Sequence, residues 1–215
     1  MIALATESDI EDRLQAGLAA MDIEAAPKLV QDFSRLLRLL DKWNKAFNLT
    51  AVRDPAEMVS RHILDSLSAR PFLSGVSILD VGTGAGFPGL PLALTEPQRH
   101  FTLLDSGGKK IRFVRHALGE LALDNVIVEH LRVEAFEPAD LYDAVISRAF
   151  SSLGDFVRRC GSLVATGGCL LAMKGKYPDA ELSGVPGTWE VIDVVGLDVP
   201  GLVGERHMVV MRRSG

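Results

Sequence analysis

The clearest chemical signature in this sequence is an acidic residue followed by alternating glycines. The stretch SILDVGTGAGFPGLPLAL runs from residue 77 to residue 94 and contains Asp80, Gly82, Gly84 and Gly86. Because glycine has no side chain, such a backbone can turn sharply and lie directly against a ligand. Each glycine costs about 0.5–1 kcal/mol in chain entropy. A glycine turn without a ligand is therefore the least favoured interpretation.

Two classes of cofactor bind to turns of this kind. Gly84, Gly86 and Gly89 match the G-x-G-x-x-G pattern of dinucleotide sites. The residues from Asp80 to Gly86 match D-x-G-x-G-x-G, which is typical of methyl-donor sites. A dinucleotide carries a diphosphate, whereas S-adenosylmethionine carries an ammonium and a sulfonium. Asp80 at the mouth of the turn would repel the first and attract the second, so charge favours S-adenosylmethionine.

A second carboxylate supports a nucleotide-containing cofactor of either class. Residues 101–104 form an apolar strand that ends at Asp105. A carboxylate at the tip of a neighbouring strand can accept hydrogen bonds from both ribose hydroxyls of an adenosine. A helix cap is the alternative role. The position of Asp105, about twenty residues after the glycine turn, favours the ribose contact.

The elements that must position these residues follow from apolar spacing. Ile78, Leu79 and Val81 predict a strand that is buried on both faces. The helix after the glycine turn should run from about Pro88 to Thr95, because proline is tolerated in a first helical turn. The turn would then connect a central strand to a helix.

Three helices are predicted before this strand. A capping-box pattern from Ser8 to Glu11 starts the first, and Pro27 starts the second. Asp54 should cap the third, which would end near residue 68. On the third helix Arg61 and Asp65 are four residues apart, so we expect them to form an ion pair.

The region after the turn predicts a sheet that ends in an antiparallel pair. A helix from Lys109 to Leu121 is followed by apolar strands at residues 126–128, 144–146 and 169–173. Residues 191–195 and 207–211 are two further strands without a helix between them. Five mostly parallel strands finished by such a hairpin are how class I methyltransferases end. We therefore predict an α/β, Rossmann-like fold with a seven-stranded sheet and extra N-terminal helices.

Composition and sequence patterns indicate the compartment of the protein and whether it binds a metal. The chain has 215 residues, of which 47% are hydrophobic. No apolar run approaches the roughly 20 residues of a membrane span, and the start lacks the basic region of a signal peptide. We expect a cytoplasmic protein. Its two cysteines and five histidines have no metal-binding spacing, so no metal is expected.

Charge limits how the protein could contact nucleic acid. The net charge is −5. Residues 1–30 contain six acids and two basic residues, a net −4, which leaves −1 for the rest of the chain. A local basic face is therefore possible on the remainder. Lys109, Lys110, Arg112 and Arg115 form the densest positive patch, suited to phosphate contacts, although an ordinary solvated helix face explains them equally well.

Six motifs together resemble one family. They are, in order, NLTAVRDPAEMVSRHILDSL, DVGTGAGFPGLPLA, LLDSGGKKIRF, SRAF, MKG and ERHMVV. They are similar to the bacterial 16S rRNA (guanine-527-N7)-methyltransferases, also called the glucose-inhibited division protein B family. The resemblance runs from about Leu36 to Arg212. It departs from the family pattern at residues 107–110, GGKK, which we expect to loosen the start of the basic helix.

The resemblance implies S-adenosylmethionine as cofactor and 16S rRNA or the assembling small ribosomal subunit as substrate. The donor-contacting positions that it carries over are Gly82, Phe87, Val133, Glu134 and Arg148. With the residues argued above, the predicted cofactor-binding set is Asp80, Gly82, Gly84, Gly86, Phe87, Asp105, Val133, Glu134 and Arg148. The candidate RNA-binding set is Arg61, His62, Lys109, Lys110, Arg112, Arg115 and Lys174. Arg148, after the fourth strand, is also the one candidate for positioning donor or substrate at the reacting atoms.

Motifs that are absent from the sequence exclude some kinds of methylation reaction. Methylation of adenine amino groups usually uses an Asn/Asp-Pro-Pro-aromatic loop after the fourth strand, where this chain has SRAF at residues 147–150. Methylation of pyrimidine carbon 5 uses a cysteine nucleophile, typically after proline, and neither Cys160 nor Cys169 follows one. Guanine N7 has a lone pair and no proton to remove. We therefore expect direct in-line transfer without a general base.

Three other functions compete with this interpretation, and the sequence also predicts domain boundaries. A small-molecule methyltransferase would lack the basic helix and the N-terminal helices, whereas a non-catalytic ribosome-assembly factor would tolerate loss of Asp80 and Gly82. A nicotinamide-dependent oxidoreductase would need a further βαβ half for which the chain has no room. We expect a monomer with a helical extension, residues 1–70, packed on a methyltransferase domain, residues 71–215.

Overall fold

The computed structural model describes residues 6–214. Residues 1–5, on which the expectation about a signal peptide partly rests, lie outside the described range. The α-helices are α1 Glu7–Ala20, α2 Pro27–Phe47, α3 Pro55–Met58, α4 Asp65–Leu67, α5 Gly89–Thr95, α6 Gly108–Leu121, α7 Leu153–Cys160 and α8 Asp179–Leu182. The strands are β1 Ser77–Val81, β2 His100–Leu104, β3 Val126–Glu129, β4 Tyr142–Ser147, β5 Val164–Lys174, β6 Trp189–Gly196 and β7 His207–Arg213.

The strands form one seven-stranded sheet in the order β3-β2-β1-β4-β5-β7-β6. Strands β1 to β5 pair in parallel, while β7 pairs antiparallel with both β5 and β6. This confirms the predicted fold class, including the antiparallel strands at the C-terminal edge. The carboxyl ends of β1, β2 and β4 lie side by side, so the loops that follow them meet above one edge of the sheet.

The sheet has a hydrophobic layer on each face. Side chains alternate along β1, with Ile78 in one core cluster and Leu79 in the other. The first cluster also contains Leu36 of α2 and Phe113 of α6, while the second contains Phe156 of α7. The N-terminal helices therefore share a continuous core with one face of the sheet.

Two helix starts differ from the sequence prediction. The cap of α1 is Thr6, whose hydroxyl accepts from the N–H of Asp9, instead of the Ser8–Glu11 pattern. Helix α7 was not predicted at all. Its N-terminal signal is present in the sequence, since the hydroxyl of Ser152 accepts from the N–H of Asp155 at 3.2 Å.

A π-helical stretch, Val59–Leu64, connects α3 to α4. The third predicted helix is therefore present, with Asp54 as its N-cap, but its central turn is wider than an α-helix. This stretch contains Arg61 and His62, and Asp65 follows it. Of the helices in residues 6–214, none combines the length and the apolar character needed to cross a bilayer.

Candidate active site

The glycine turn between β1 and α5 has a backbone that only glycine adopts easily. Gly82, Gly84 and Gly86 have φ values of +72°, +63° and +88°. The N–H groups of Gly82 and Thr83 both donate to the carbonyl of Leu104, at 2.8 and 3.1 Å. The turn after β1 is thereby fastened to the end of β2, and its backbone faces the loops of the sheet edge.

The carboxylate of Asp80 stabilises the glycine turn through hydrogen bonds. Its carboxylate accepts from the hydroxyl of Thr83 at 2.6 Å and from the N–H of Gly89 at 2.9 Å. It is 0% exposed, so the expectation that it lies at the mouth of the turn is wrong. Burial raises the pKa of Asp80 to about 6, while its hydrogen bonds and Arg148 oppose that rise. Asp80 shapes the turn that would receive the cofactor.

Asp105 lies where the sequence placed it, directly after β2. One carboxylate oxygen accepts from the N–H of Gly84 at 2.8 Å, and the other accepts from the N–H of Gly107 at 2.7 Å. The carboxylate thus acts as a brace between the glycine turn and the start of α6. Of the two glycines at the start of α6, Gly107 is therefore held in place by a hydrogen bond. Each oxygen keeps acceptor capacity for a further donor.

A cavity of about 180 Å³, here called the donor pocket, lies beside Asp105. It is lined by Val81, Gly82, Leu104, Asp105, Ser106, Leu131, Arg132, Val133, Glu134, Ala149, Phe150 and Arg159. It brings together four predicted cofactor residues: Gly82, Asp105, Val133 and Glu134. Arg159, which the sequence analysis missed, pairs with Glu134 and also with Asp155 at 3.1 Å.

A second cavity, the central pocket, adjoins the first. It measures about 220 Å³ and is lined by Leu49, Thr50, His62, Gly82, Thr83, Gly84, Ala85, Phe87, Arg148 and Ala149. It shares Gly82 and Ala149 with the donor pocket. The predicted residues Phe87 and Arg148 therefore line a different cavity from Asp105.

A third cavity, here called the basic pocket, adjoins the central pocket. It measures about 320 Å³ and is lined by Val52, Arg61, His62, Asp65, Arg148, Met173, Lys174, Gly175 and Arg206. It shares His62 and Arg148 with the central pocket. The three pockets therefore adjoin one another through shared lining residues, and together they are here called the crevice. The glycine turn lines the donor and central pockets, and cations cluster in the basic pocket.

His62 separates the central and basic pockets. Its ring stacks on Phe87 with 4.8 Å between ring centroids, and its Nε2 lies 3.0 Å from the hydroxyl of Thr50. Burial first, and then the charge of Arg148, lower the pKa of His62 to about 4, against smaller opposing effects that include Asp65. His62 is 7% exposed and neutral near pH 7, so this RNA-binding candidate acts as a wall of the crevice in this structure.

Asp65 forms a different ion pair from the one that its spacing predicts. Arg61 pairs with Glu57 at 3.3 Å. Asp65 instead accepts from Nη1 of Arg148 at 2.7 Å and from Nε of Arg206 at 2.8 Å. The expected Arg61–Asp65 pair is therefore wrong, and the sequence analysis missed Arg206 as a residue of the site.

The remaining RNA-binding candidates fall into two groups. Lys174 lines the basic pocket, but its ammonium pairs with Glu181 at 2.7 Å and donates to the carbonyl of Phe150. Lys109, Arg112 and Arg115 are exposed on α6, whereas Lys110 is half-buried and reaches to 3.9 Å from Asp105. The α6 cations are thus outside the crevice and available to a large ligand.

Comparison with solved structures shows which fold the chain has. The N-methyltransferase NodS from Bradyrhizobium japonicum WM9, solved with S-adenosyl-L-homocysteine, superposes with a TM-score of 0.59 at 13% identity, covering 81% of this chain and all of that one. The ribosomal protein L11 methylase from Lactobacillus delbrueckii subsp. bulgaricus gives 0.53 at 13% identity, covering 71% and 77%. The chain therefore has the class I methyltransferase fold.

Sequence comparison identifies the family. The family model described as rRNA small subunit methyltransferase G matches residues 29–209. Ribosomal RNA small subunit methyltransferase G of Hahella chejuensis (strain KCTC 2396) is 49% identical over 204 residues, which cover 95% of this chain and 94% of that protein. The protein of the same name from Marinobacter nauticus (strain ATCC 700491 / DSM 11845 / VT8) is 48% identical over 202 residues, with 94% of each covered. The chain belongs to the rRNA small subunit methyltransferase G family, which confirms the resemblance found in its motifs.

Proposed function

We propose that this protein transfers a methyl group from S-adenosylmethionine to N7 of one guanine in small-subunit ribosomal RNA. The observation that carries the proposal is the succession of three adjoining pockets. Its donor pocket adjoins the glycine turn, and its basic pocket suits a polyanionic substrate. Arg148 lies between the two, so the methyl donor and the target base would meet beside it.

The cofactor is assigned to the donor and central pockets. Asp105 would accept the ribose hydroxyls, and Val133 and Glu134 would line the adenine. The methionine part would follow the backbone of Gly82 and Gly84 into the central pocket, towards Phe87. The positive φ angles of these glycines support the assignment, because a side chain there would occupy the surface that the cofactor needs.

The reaction is proposed to be a direct in-line transfer. The described side chains that line the basic pocket offer no strong general base near pH 7. His62 is unprotonated but only weakly basic, because its pKa is about 4, and Asp65 is bound by two arginines. Guanine N7 needs no base, because it carries a lone pair and no proton. Proximity and alignment would therefore supply the rate acceleration.

RNA would contact the protein at two places. Arg61, Arg148 and Arg206 line the basic pocket, and Lys109 and Arg112 lie exposed on α6. Since the net charge of the chain is −5, we propose that it binds a folded target through these local patches. The assembling small subunit in the bacterial cytoplasm fits this description better than loose RNA, and one protein molecule would suffice.

The proposal also gives the helical segment a function. We retain the division into residues 1–70 and residues 71–215. His62 and Asp65 belong to the first part and line pockets that otherwise consist mainly of loops of the second. The extension would then complete the substrate side of the crevice.

The test is methyl transfer from labelled S-adenosylmethionine to purified small subunits and to naked 16S rRNA, both lacking the modification. The labelled base is then mapped. We expect label at a single guanine N7, with more transfer to particles than to naked RNA. Arg148→Gln should lose this transfer. Arg158→Gln, which changes an exposed arginine on α7 outside the three pockets, should retain it.

Other outcomes would contradict the proposal in distinguishable ways. Label on free metabolites but not on RNA would indicate a small-molecule methyltransferase. Tight binding to subunits without transfer would indicate an assembly factor. A pH–rate profile with one essential base near neutrality would contradict transfer without a general base.

A further inference from the structure

We propose that Asp65 is a positioning residue that holds Arg148 and Arg206 together, so that Arg206 binds a phosphate of the target RNA beside the transferred methyl group. The inference deepens the proposed function and rests on it. It assigns a role to a carboxylate and an arginine that the sequence motifs alone left without one.

The geometry gives each oxygen of Asp65 its own arginine. Oδ2 accepts from Nη1 of Arg148 at 2.7 Å, and Oδ1 accepts from Nε of Arg206 at 2.8 Å. Asp65 is 3% exposed. A buried carboxylate with both oxygens engaged by guanidinium groups does not itself approach a substrate, so it acts through the two arginines.

The two arginines come from distant parts of the chain. Arg148 follows β4 and is 83 residues from Asp65, while Arg206 immediately precedes β7 and is 141 residues from it. Asp65 belongs to α4, at the end of the helical segment. One carboxylate therefore sets the spacing of two cations on separate loops.

Arg148 is fixed on the cofactor side of this arrangement. Its guanidinium carbon lies 5.8 Å from the centroid of the Phe87 ring, and its Nη1 also contacts the carbonyl of Arg61 at 3.4 Å. These contacts hold it at the junction of the central and basic pockets. Arg148 is thus placed next to the position proposed for the methyl group.

Arg206 is fixed on the far side and keeps donors for a ligand. Its Nε is used by Asp65, and its Nη1 donates to the carbonyl of Glu205 at 2.8 Å. Within residues 6–214, its Nη2 makes no hydrogen bond, and the side chain lines the basic pocket. Nη2 is therefore available to an acceptor that enters this pocket.

The charges of the pocket favour a phosphate as that acceptor. Its charged lining consists of Arg61, Arg148, Lys174 and Arg206 against the carboxylate of Asp65. Glu57 and Glu181, outside the lining, pair with Arg61 and Lys174, so four cations face three carboxylates in all. Methylation at N7 makes the guanine cationic, so a guanidinium bonded to the reacting edge would oppose the product. A phosphate beside the base has the opposite charge and gains from the same guanidinium.

The experiment uses Asp65→Asn, Arg206→Gln and the double variant in full-length protein, with the RNA substrate on which the wild type is active. Asp65→Asn should lower kcat/KM for RNA by about 100-fold, since small misplacements of positioning groups have effects of that order. Arg206→Gln should reduce the slope of log K against log salt for RNA binding by about 0.7, the value for one phosphate contact on a single strand. It should leave the affinity for S-adenosylmethionine unchanged.

The double variant tests whether Asp65 acts through Arg206. It should lose less activity than the product of the two single losses, because one residue works through the other. Asp41→Asn is the matched control. It removes the carboxylate of a helical ion pair with Lys45, and neither residue lines any of the three pockets, so the variant should match the wild type in every readout.

Distinct results would overturn the inference and the function. A wild-type protein that transfers no methyl group to RNA refutes the proposed function. An active wild type with a fully active Asp65→Asn variant refutes the positioning role. If Asp65→Asn does not fold, the salt dependence of RNA binding by Arg206→Gln decides whether Arg206 contacts a phosphate. An unchanged slope, or relaxed choice of base, would refute the phosphate contact.

Discussion

The N–H of Gly84 donates a 2.8 Å hydrogen bond to Asp105, and the second oxygen of that carboxylate accepts from the N–H of Gly107 at 2.7 Å. One side chain therefore joins the turn after β1 to the first residue before α6. Because α6 carries exposed Lys109 and Arg112, the cofactor turn and the basic helix have a common support.

Removing this carboxylate should weaken cofactor binding through the turn. We expect Asp105→Ala to lower the affinity for S-adenosylmethionine at least tenfold, since one hydrogen bond to a charged group is worth about 1.5–3 kcal/mol. Isothermal titration calorimetry measures the affinity. Asp124→Ala, at an exposed position after α6, is the control and should bind normally. Equal affinities in the two variants would contradict the role of Asp105.

Gly84 and Gly167 form a matched pair for testing the glycine turn. Both have positive φ, at +63° and +81°, and a Cβ atom would meet nothing closer than 4.0 Å at Gly84 and nothing within 4 Å at Gly167. Alanine at either position should lower the free energy of unfolding by about 1–2 kcal/mol. Only Gly84→Ala should also lose cofactor affinity, because its methyl group faces the central pocket. Chemical denaturation and calorimetry measure the two effects, and similar cofactor affinity in both variants would count against the turn as the binding surface.

Stability should depend on pH through two groups with opposite signs. The pKa of His62 in the folded protein is about 4, below its ordinary 6.5, so the folded state binds fewer protons and stability is lost as pH falls through this window. The pKa of Asp80 is about 6, above its ordinary 3.8, so the stability from its protonated form is lost as pH rises through that window. Each effect amounts to about 3 kcal/mol, and between pH 4 and 6 the two largely cancel.

Substitutions should separate these two contributions. Relative to the wild type, His62→Gln should gain stability as pH falls from 6.5 to 4, whereas Asp80→Asn should gain stability as pH rises from 3.8 to 6. The measurement is the unfolding free energy in urea at several pH values. A difference from wild type that does not vary with pH in either variant would show that the corresponding group titrates normally.

The basic face of α6 should contribute affinity without affecting the cofactor. Replacing both Lys109 and Arg112 by glutamine should weaken RNA binding and reduce the salt slope by about 1.4, or 0.7 for each phosphate contact. Calorimetry with S-adenosylmethionine should give the wild-type affinity. Arg13→Gln changes an exposed arginine on α1 and serves as the control. An unchanged salt slope in the double variant would assign these residues to an ordinary solvated face.

Local patterns were sufficient to predict the sheet and the turn. Alternating glycines after an apolar strand have few uses, and a second acid at the end of the next strand must lie beside them in a parallel sheet. Asp105 and Gly82 could therefore be placed together from spacing alone. The antiparallel pair of β6 and β7 was also predictable from a local pattern, because no helix separates the two strands.

The partners of Asp65 could not be predicted in this way. Helical spacing pointed to Arg61, but the π-helical stretch before Asp65 changes the direction of successive side chains. Its true partners, Arg148 and Arg206, lie on other loops of the sheet edge. Likewise, the mouth position expected for Asp80 assumed an exposed carboxylate, whereas the turn folds over it. Such contacts depend on packing between distant segments.

The place of β7 in the sheet has a consequence for synthesis of the protein. Strand β7 is inserted between β5 and β6, and Arg206 directly precedes it. The glycine turn and Asp65 leave the ribosome well before Arg206, which is 141 residues after Asp65 in the chain. A chain still being translated therefore acquires the elements that would bind the methyl donor before it completes the pocket for RNA. Both are present only after Arg206 and β7 have been synthesised.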